Sequence, residues 1–358
     1  MATYLICFAV AMVLTLVSTP LVKKLAIKWG VVDQPDHRKV HTRIMPRMGG
    51  LAIFIAFVVS FYIYVPKNKE SIGILIGGAI IALTGMIDDK YQISPKMKML
   101  GQLIAALVVI WCGLKVDFIN LPFNGQVYFQ WLSIPITIFW LVGVTNAVNL
   151  IDGLDGLAAG VSGVAVSAIM VMSILMGNTL ALILSVILLG CVIGFLFFNF
   201  HPAKIFMGDT GALFLGFNLA VLSILGFKQL TLIAFLVPIL ILGVPLSDTF
   251  YAIIRRIVNK KPISQPDKNH LHHCILSMGF SHRNTVIIIY GVSALFAVSA
   301  VIFSQSTLWG AAILIGLVLI ALEIGSEVVG LMGKKKQPLL RIARIIRLRY
   351  RLANRSTK

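Results

Sequence analysis

Long apolar segments dominate this sequence. Eleven runs of about 17 to 25 residues carry few charged side chains, and runs of that length are typical of helices that cross a bilayer. Only 12% of the 358 residues are charged, whereas soluble globular domains have about a quarter. We therefore predict an all-α polytopic membrane protein whose spans cover residues 2–22, 49–65, 71–87, 99–114, 131–147, 157–176, 179–198, 210–226, 230–247, 284–303 and 307–331.

The basic residues predict the orientation of these spans. The net charge of +18 would suit a nucleic-acid ligand, but 27 of the 31 Lys and Arg side chains fall in linkers 23–48, 88–98, 199–209 and 248–283 and in the tail 332–358. By the positive-inside rule, these segments are cytoplasmic. Eleven spans then place the N-terminus outside and the C-terminus in the cytoplasm. We expect a bilayer and not nucleic acid as the partner.

The domain prediction is correspondingly simple. Residues 1–331 form one transmembrane domain, and the cytoplasmic loops include 146–156 besides the linkers above. Residues 332–358 form a basic tail in which apolar and arginine side chains each recur at helical spacing. Such an amphipathic segment is expected to lie on the anionic inner leaflet.

Carboxylates are concentrated on the predicted cytoplasmic side. A carboxylate at the centre of a spanning helix costs about 2.5–3.5 kcal/mol on insertion scales, so its position is informative. Only Glu323 and Glu327 fall within a span at mid-depth, and the sequence offers no account of them. Nine of the thirteen acidic residues lie on the predicted cytoplasmic side: Asp33, Asp36, Asp88, Asp89, Asp152, Asp155, Asp209, Asp248 and Asp267. Several helix ends that present carboxylates at one depth indicate a cation site.

Two of these carboxylates are adjacent at the end of the third span. Asp88 and Asp89 repel each other unless a cation or nearby ammonium groups offset their charge, and Lys90, Lys96 and Lys98 follow them. The alternative is a charge cluster in a solvated loop.

The segment NAVNLIDGLDGLAAG contains a second pattern. Asn146, Asn149, Asp152 and Asp155 recur every three residues, which places amide and carboxylate oxygens roughly on one side of a helix or its mouth. Helix capping is the structural alternative, but one such residue is enough for a cap.

Asp209 lies in FMGDTG, where the eighth span begins. An aspartate there can cap the helix. It can also bind Mg²⁺ together with phosphate and water oxygens, and the spacing does not separate these two roles.

Three histidines lie close together in QPDKNHLHHCIL. His270, His272 and His273 could bind zinc, although no cysteine or acidic partner has the usual spacing. They could instead contact a phosphate or diphosphate, or form a purely structural cluster. All three alternatives stay open.

The linker between the first two spans favours an anion site. Arg47 belongs to a group of basic side chains that precedes Gly49-Gly50 at a helix start. Together these segments describe a site for Mg²⁺ and phosphate next to lipid. No GxxxxGK[ST] loop is present, so the sequence gives no support to ATP-driven pumping. A reaction that exchanges one pyrophosphate linkage for another needs no ATP, and a lipid phosphate would suit it as the acceptor.

Six strings, in this order, carry a family resemblance: RKVH, PRMGG, DDKYQ, NAVNLIDGLDGLAAG, KIFMGDTGALFLG and HLHH. The chain resembles the polyprenyl-phosphate N-acetylhexosamine-1-phosphate transferases from about residue 20 to 285, and within them the WecA/TagO branch. The MraY branch usually has PTMGG and three consecutive histidines. Here Arg47 replaces that threonine, and Leu271 interrupts the histidines.

The resemblance implies roles for individual residues. Asp209 matches a ligand of Mg²⁺, with Mn²⁺ as an alternative ion, and the pair Asp88-Asp89 matches residues assigned to the metal or to deprotonation of the lipid phosphate. Lys98 and Arg47 would contact phosphates. The remaining matches are catalytic or contact the sugar nucleotide: Asn149, Asp152, Asp155, His270, His272 and His273.

The resemblance also implies an activity. The protein would transfer GlcNAc-1-phosphate from UDP-GlcNAc to undecaprenyl phosphate at the cytoplasmic face of a bacterial plasma membrane, for a cell-wall polymer such as wall teichoic acid. A homodimer is common among relatives. The alternatives are a MraY-type phospho-MurNAc-pentapeptide transferase, a membrane transporter and a non-catalytic scaffold.

Overall fold

The computed structural model describes residues 2–33, 44–120, 126–227, 236–262, 267 and 269–331. Its helices are α1 Ala2–Lys28, α2 Gly50–Tyr64, α3 Lys69–Tyr91, α4 Pro95–Trp111, α5 Ser133–Leu150, α6 Leu157–Leu175, α7 Thr179–Asn199, α8 Gly208–Phe227, α9 Leu236–Ile241, α10 Gly243–Val258, α11 Leu271–Ser277, α12 His282–Ser304 and α13 Leu308–Val329. Two small antiparallel pairs join β1 Val32–Asp33 to β2 Met45–Pro46, and β3 Phe118–Asn120 to β4 Gln126–Tyr128. A 3₁₀ turn, Gln130–Leu132, precedes α5.

The prediction of an all-α polytopic membrane protein is confirmed. In the described residues, eight helices are long and apolar enough to cross a bilayer: α1, α3, α5 with its preceding turn, α6, α7, α8, α12 and α13. The predicted spans 49–65 and 99–114 correspond to the shorter helices α2 and α4. The predicted span 230–247 begins outside the described residues, and its described part is divided between α9 and α10. Eleven spans and their orientation stay a prediction.

Several predicted loops are shorter than the charge pattern indicated. Helix α1 continues to Lys28, and α10 continues to Val258. Between α3 and α4 only residues 92–94 connect the helices, because Gln92 adopts a left-handed C-cap and the Ser94 side chain caps Met97 N. Charged residues were assigned to loops, but a helix can carry them in its terminal turns, where they reach the membrane boundary. The tail 332–358 lies outside the described residues.

Helix α8 lies at the centre of the bundle. It packs against α2, α3, α5, α6 and α7, and its residues from Thr210 to Leu225 are almost entirely buried. Helix α13, in contrast, is the span with the least burial against the rest of the protein. The N-terminal turn of α8 is therefore fixed by its neighbours on several sides.

Glycines allow the N-terminal turn of α8 to approach α2 and α3 closely. A Cβ atom on Gly50 would lie 2.0 Å from Gly211 N, and one on Gly85 would lie 2.5 Å from Thr210 Cα. The backbone also pairs directly, because Gly50 N donates to Met207 O at 2.8 Å. This contact brings the PRMGG segment against FMGDTG.

We predict that Gly50→Ala destabilises the protein. The added methyl group would meet backbone atoms that cannot rotate away, and overpacking of this kind costs about 1–3 kcal/mol or more. The matched control is Gly143→Ala in α5, where an added Cβ meets nothing within 4 Å. Thermal unfolding of both detergent-purified variants measures the difference. Equal midpoints would contradict this account of the α2–α8 contact.

Candidate active site

Five charged side chains form a compact cluster at one end of the bundle. Asp88, Asp89, Asp209, Arg47 and Lys98 are named here the carboxylate cluster. Lys98 Nζ lies 2.7 Å from Asp88 Oδ2 and also bonds Asp209 Oδ2. Arg47 places Nε 3.2 Å from Asp89 Oδ1 and Nη2 3.2 Å from Asp209 Oδ1. The two cations thus link carboxylates on α3 to the start of α8.

Asp89 fixes the position of Asp209. Its carboxylate is fully buried and accepts hydrogen bonds from Asp209 N at 2.8 Å, Thr210 N at 3.0 Å and Thr210 Oγ1 at 2.6 Å. It therefore caps the first turn of α8 from a neighbouring helix. Asp88 and Asp209 contact Lys98, and the Asp209 side chain keeps 15% of its surface exposed. In the structure, Asp89 positions the start of α8. Its catalytic role stays a prediction.

Asp152 borders this cluster. Asn149 is half-buried in the last turn of α5, and Asp152 follows in the connection between α5 and α6. Burial, and after it the charge of Asp209, raises the pKa of Asp152 to about 7. This shift shows that Asp152 and Asp209 influence each other electrostatically, as expected for carboxylates that share one site.

The donor set suits a hard divalent cation. Asp209 and Asp88 supply carboxylate oxygens, and Asp152 adds a third carboxylate nearby. Mg²⁺ prefers oxygen ligands and is usually held by one or two carboxylates plus phosphate oxygens. Mutual repulsion between these carboxylates would fall when such an ion binds, so the residues present fit Mg²⁺.

The NAVNLIDGLDGLAAG segment spans the end of α5 and the connection to α6. Helix α5 ends at Leu150, so Asp152 and Asp155 lie beyond it. Asn146 pairs with Gln102 of α4, with Nδ2 2.7 Å from Oε1. Asp155 instead contacts His201, whose Nδ1 lies 2.9 Å from Asp155 Oδ2. Because α5 ends within the pattern, Asp152 and Asp155 lie at the mouth of the helix, and the shared side of all four residues stays a prediction.

A buried aspartate that the sequence did not single out as functional orients the histidine segment. Asp248 of α10 is 2% exposed. His270 Nδ1 lies 2.9 Å from its Oδ2, and Leu271 N donates to its Oδ1 at 2.8 Å. Asp248 thereby caps α11 and holds the His270 ring. Its only sequence signal was a lone carboxylate after an apolar run.

His272 packs against the NLIDGLDG connection. A Cβ atom on Gly153 would lie 2.3 Å from His272 Nε2, so only glycine fits there. Burial, with the nearby His273, lowers the pKa of His272 to about 3, and the ring is neutral at pH 7. His273 is exposed, with its ring centroid 4.2 Å from that of His272. The histidine segment and Asp152 therefore belong to the same end of the bundle.

The zinc alternative for HLHH receives no support from the described residues. Among them, the group of three side chains whose possible ligand atoms all lie within 4.8 Å of one another is Asp155, His201 and His282. None of these belongs to HLHH.

Fold and site together define a polytopic membrane protein with carboxylates and cations gathered at helix ends. The sequence profile of glycosyl transferase family 4 matches residues 71–227, which include α3 to α8. The chain belongs to this enzyme family. Curated relatives align with most of its length.

A Bacillus subtilis protein named "probable undecaprenyl-phosphate N-acetylglucosaminyl 1-phosphate transferase" is 48% identical over 94% of this chain and 95% of its own. A decaprenyl-phosphate N-acetylglucosaminephosphotransferase of Mycobacterium tuberculosis is 34% identical over 87% and 85%. A phospho-N-acetylmuramoyl-pentapeptide-transferase of Listeria monocytogenes is 32% identical over 83% and 97%. The resemblance stated from the motifs is confirmed.

We predict that Asp248→Ala destabilises the protein more than Asp248→Asn does. Alanine leaves two buried donors without an acceptor, and each unsatisfied group costs about 1–3 kcal/mol. Asparagine retains one oxygen acceptor. Asp117→Asn serves as the control, because the Asp117 side chain is 39% exposed in a surface pair with Lys115. Thermal unfolding in detergent gives the ranking, and an alanine variant as stable as Asp117→Asn would disprove it.

Proposed function

We propose that the protein transfers GlcNAc-1-phosphate from UDP-GlcNAc to undecaprenyl phosphate and releases UMP. The observation that carries this proposal is the carboxylate cluster, in which Lys98 and Arg47 both reach Asp209. Such a site offers oxygen ligands to a metal and positive charge to phosphates at a helix end beside lipid. The name of the Bacillus subtilis relative supports the particular substrates.

Asp209 and Asp88 would hold Mg²⁺, for which Mn²⁺ could substitute. When bound, the ion neutralises charge on the diphosphate of the sugar nucleotide. Asp89 keeps Asp209 in place through its hydrogen bonds to the first turn of α8.

Lys98 and Arg47 would bind phosphate oxygens. Both cations are partly exposed, with 20% and 31% of their side chains open to solvent, so substrate phosphates can reach them. An oxygen of the lipid phosphate attacks the β-phosphorus of UDP-GlcNAc, the bond from that phosphorus to the bridging oxygen breaks, and UMP leaves with the oxygen. Because a phosphate monoester is largely dianionic at pH 7, Asp88 needs only to position the nucleophile.

The histidine segment would contact the sugar nucleotide. His272 is buried and neutral, so it suits hydrogen bonding, whereas His273 is exposed and can approach phosphates. His270 is buried and bound to Asp248, and its contact with the nucleotide stays a prediction. Three further residues are predicted to bind or react with the nucleotide sugar: Asn149, Asp152 and Asp155.

We further propose that this site faces the cytoplasm of a bacterial plasma membrane, where basic linkers predominate. The product would begin a cell-wall glycopolymer such as the wall teichoic acid linkage unit. A homodimer follows from the resemblance alone.

A phospho-MurNAc-pentapeptide transferase is the second candidate. The Listeria relative bears that activity in its name, and the same cluster could serve both reactions. Membranes containing the protein are incubated with Mg²⁺, undecaprenyl phosphate and either labelled UDP-GlcNAc or labelled UDP-MurNAc-pentapeptide. Labelled lipid from UDP-GlcNAc supports the proposal, and labelled lipid only from the pentapeptide substrate supports the alternative. A transporter or scaffold would produce neither.

We predict that Asp209→Asn abolishes formation of labelled lipid and UMP while the protein stays inserted and folded. The substitution keeps the size of the side chain but removes the charge that would hold the cation. We expect a loss on the order of 10³-fold, the size typical of a lost electrostatic catalytic group. The control Asp117→Asn, in a surface pair with Lys115, should retain activity. Turnover of Asp209→Asn close to wild type would remove the metal role of Asp209.

We predict that Arg47→Lys also reduces turnover. A lysine has no planar fork with which to contact Asp89 and Asp209 together. Loss of one charge-assisted hydrogen bond costs about 1.5–3 kcal/mol, equivalent to roughly ten- to hundred-fold in rate. Lys67→Arg, at an exposed position beside Tyr62, is the control. Unchanged initial rates in Arg47→Lys would show that charge alone suffices at this position.

A further inference from the structure

Three side chains outside the carboxylate cluster could together bind a metal ion. Asp155 lies in the connection between α5 and α6, His201 follows α7, and His282 is the first residue of α12. One ligand atom from each lies within 4.8 Å of the others. Segments far apart in sequence thus bring two imidazoles and one carboxylate to one place.

The contacts within this group are already close. His201 Nδ1 lies 2.9 Å from Asp155 Oδ2, and the rings of His201 and His282 stack with centroids 4.3 Å apart. Ligands around a tetrahedral ion bound at about 2.0–2.2 Å lie roughly 3.5 Å from one another. The ligand atoms are therefore close enough to gather around one ion, and the two stacked rings would turn so that the ion lies in the plane of each imidazole.

One buried nitrogen of the group has no partner. Asp155 N donates to His282 Nε2 at 3.0 Å, so the neutral ring carries its proton on Nδ1. His282 Nδ1 is buried and has no hydrogen-bond partner. Zn²⁺ would bind His282 in place of one of these two hydrogens, with release of the ring proton if Nδ1 is the ligand.

The donor set points to a transition metal and not to Mg²⁺. Imidazole nitrogens suit Zn²⁺ and its neighbours in the first transition row, whereas Mg²⁺ prefers oxygen. Two histidines and one carboxylate leave a coordination position for water. The His201 side chain is 38% exposed, so an ion can enter from solvent.

We propose that Asp155, His201 and His282 form a transition-metal site, separate from the carboxylate cluster, that binds Zn²⁺. The ion would link the α5–α6 connection, the end of α7 and the start of α12. It would stabilise these three segments against one another. The proposal does not rest on the transferase reaction, and its test uses no activity measurement.

The experiment uses the full-length protein in detergent, purified with a tag that contains no histidine and stripped with a chelator. Zn²⁺ is titrated by calorimetry in excess Mg²⁺, which saturates oxygen-ligand sites. Co²⁺ absorption in the visible range reports nitrogen ligation independently, and thermal unfolding with and without Zn²⁺ reports the linkage between segments.

We expect one Zn²⁺ per wild-type chain. His201→Gln and His282→Gln should each weaken its binding at least ten-fold and remove the rise in unfolding temperature. His273→Gln, which removes an exposed histidine outside the group, should change the affinity less than two-fold. If His282→Gln does not fold, His201→Gln at its partly exposed position still decides the question.

The proposal fails if wild type binds no Zn²⁺ in excess Mg²⁺ or if His201→Gln binds it as tightly as wild type. It also fails if His273→Gln is the variant that loses binding, because the ion would then belong to the HLHH segment.

Discussion

The Asp89 carboxylate is the interaction on which the geometry of the site depends. It is fully buried, and it accepts three hydrogen bonds from the first two residues after Gly208. Without such acceptors the N–H groups at the start of α8 would be unsatisfied inside the bundle. A carboxylate in that position also complements the positive end of the helix dipole. Asp209 is therefore held through its backbone, and its own side chain is left to contact Arg47 and Lys98.

Electrostatic balance makes this arrangement tolerable near a membrane. Asp88, Asp89 and Asp209 bring three carboxylates together, and Arg47 and Lys98 each contact two of them. Buried charges are costly unless they are paired, so the two cations stabilise the cluster. The same cations are the groups proposed to bind substrate phosphates. An incoming anion and a divalent cation would arrive together and preserve the balance of charge.

The sequence predicted the elements that have local signals. Apolar length identified eight helices that are long enough to cross a bilayer, and the restriction on charge in the bilayer identified Asp88, Asp89 and Asp209 as neighbours. The contacts of Asp248, His201 and His282 were not predicted, because each joins elements that are distant in sequence. The partner of Asn146 was not predicted for a related reason: Gln102 lies on α4, and a spacing of three residues does not show which helix a side chain faces.

The two carboxylates of α13, for which the sequence offered no account, lie against the rest of the protein. Glu323 accepts a hydrogen bond from Tyr251 Oη at 3.1 Å, and Glu327 is only 3% exposed. Tyr251 lies on α10, where the buried Arg255 also donates to Leu331 O at 2.7 Å. Since α13 otherwise presents an apolar surface, these polar contacts fix which side of the helix faces the protein. Attachment of α13 to the bundle thus gives a structural account of these ionisable residues within a span.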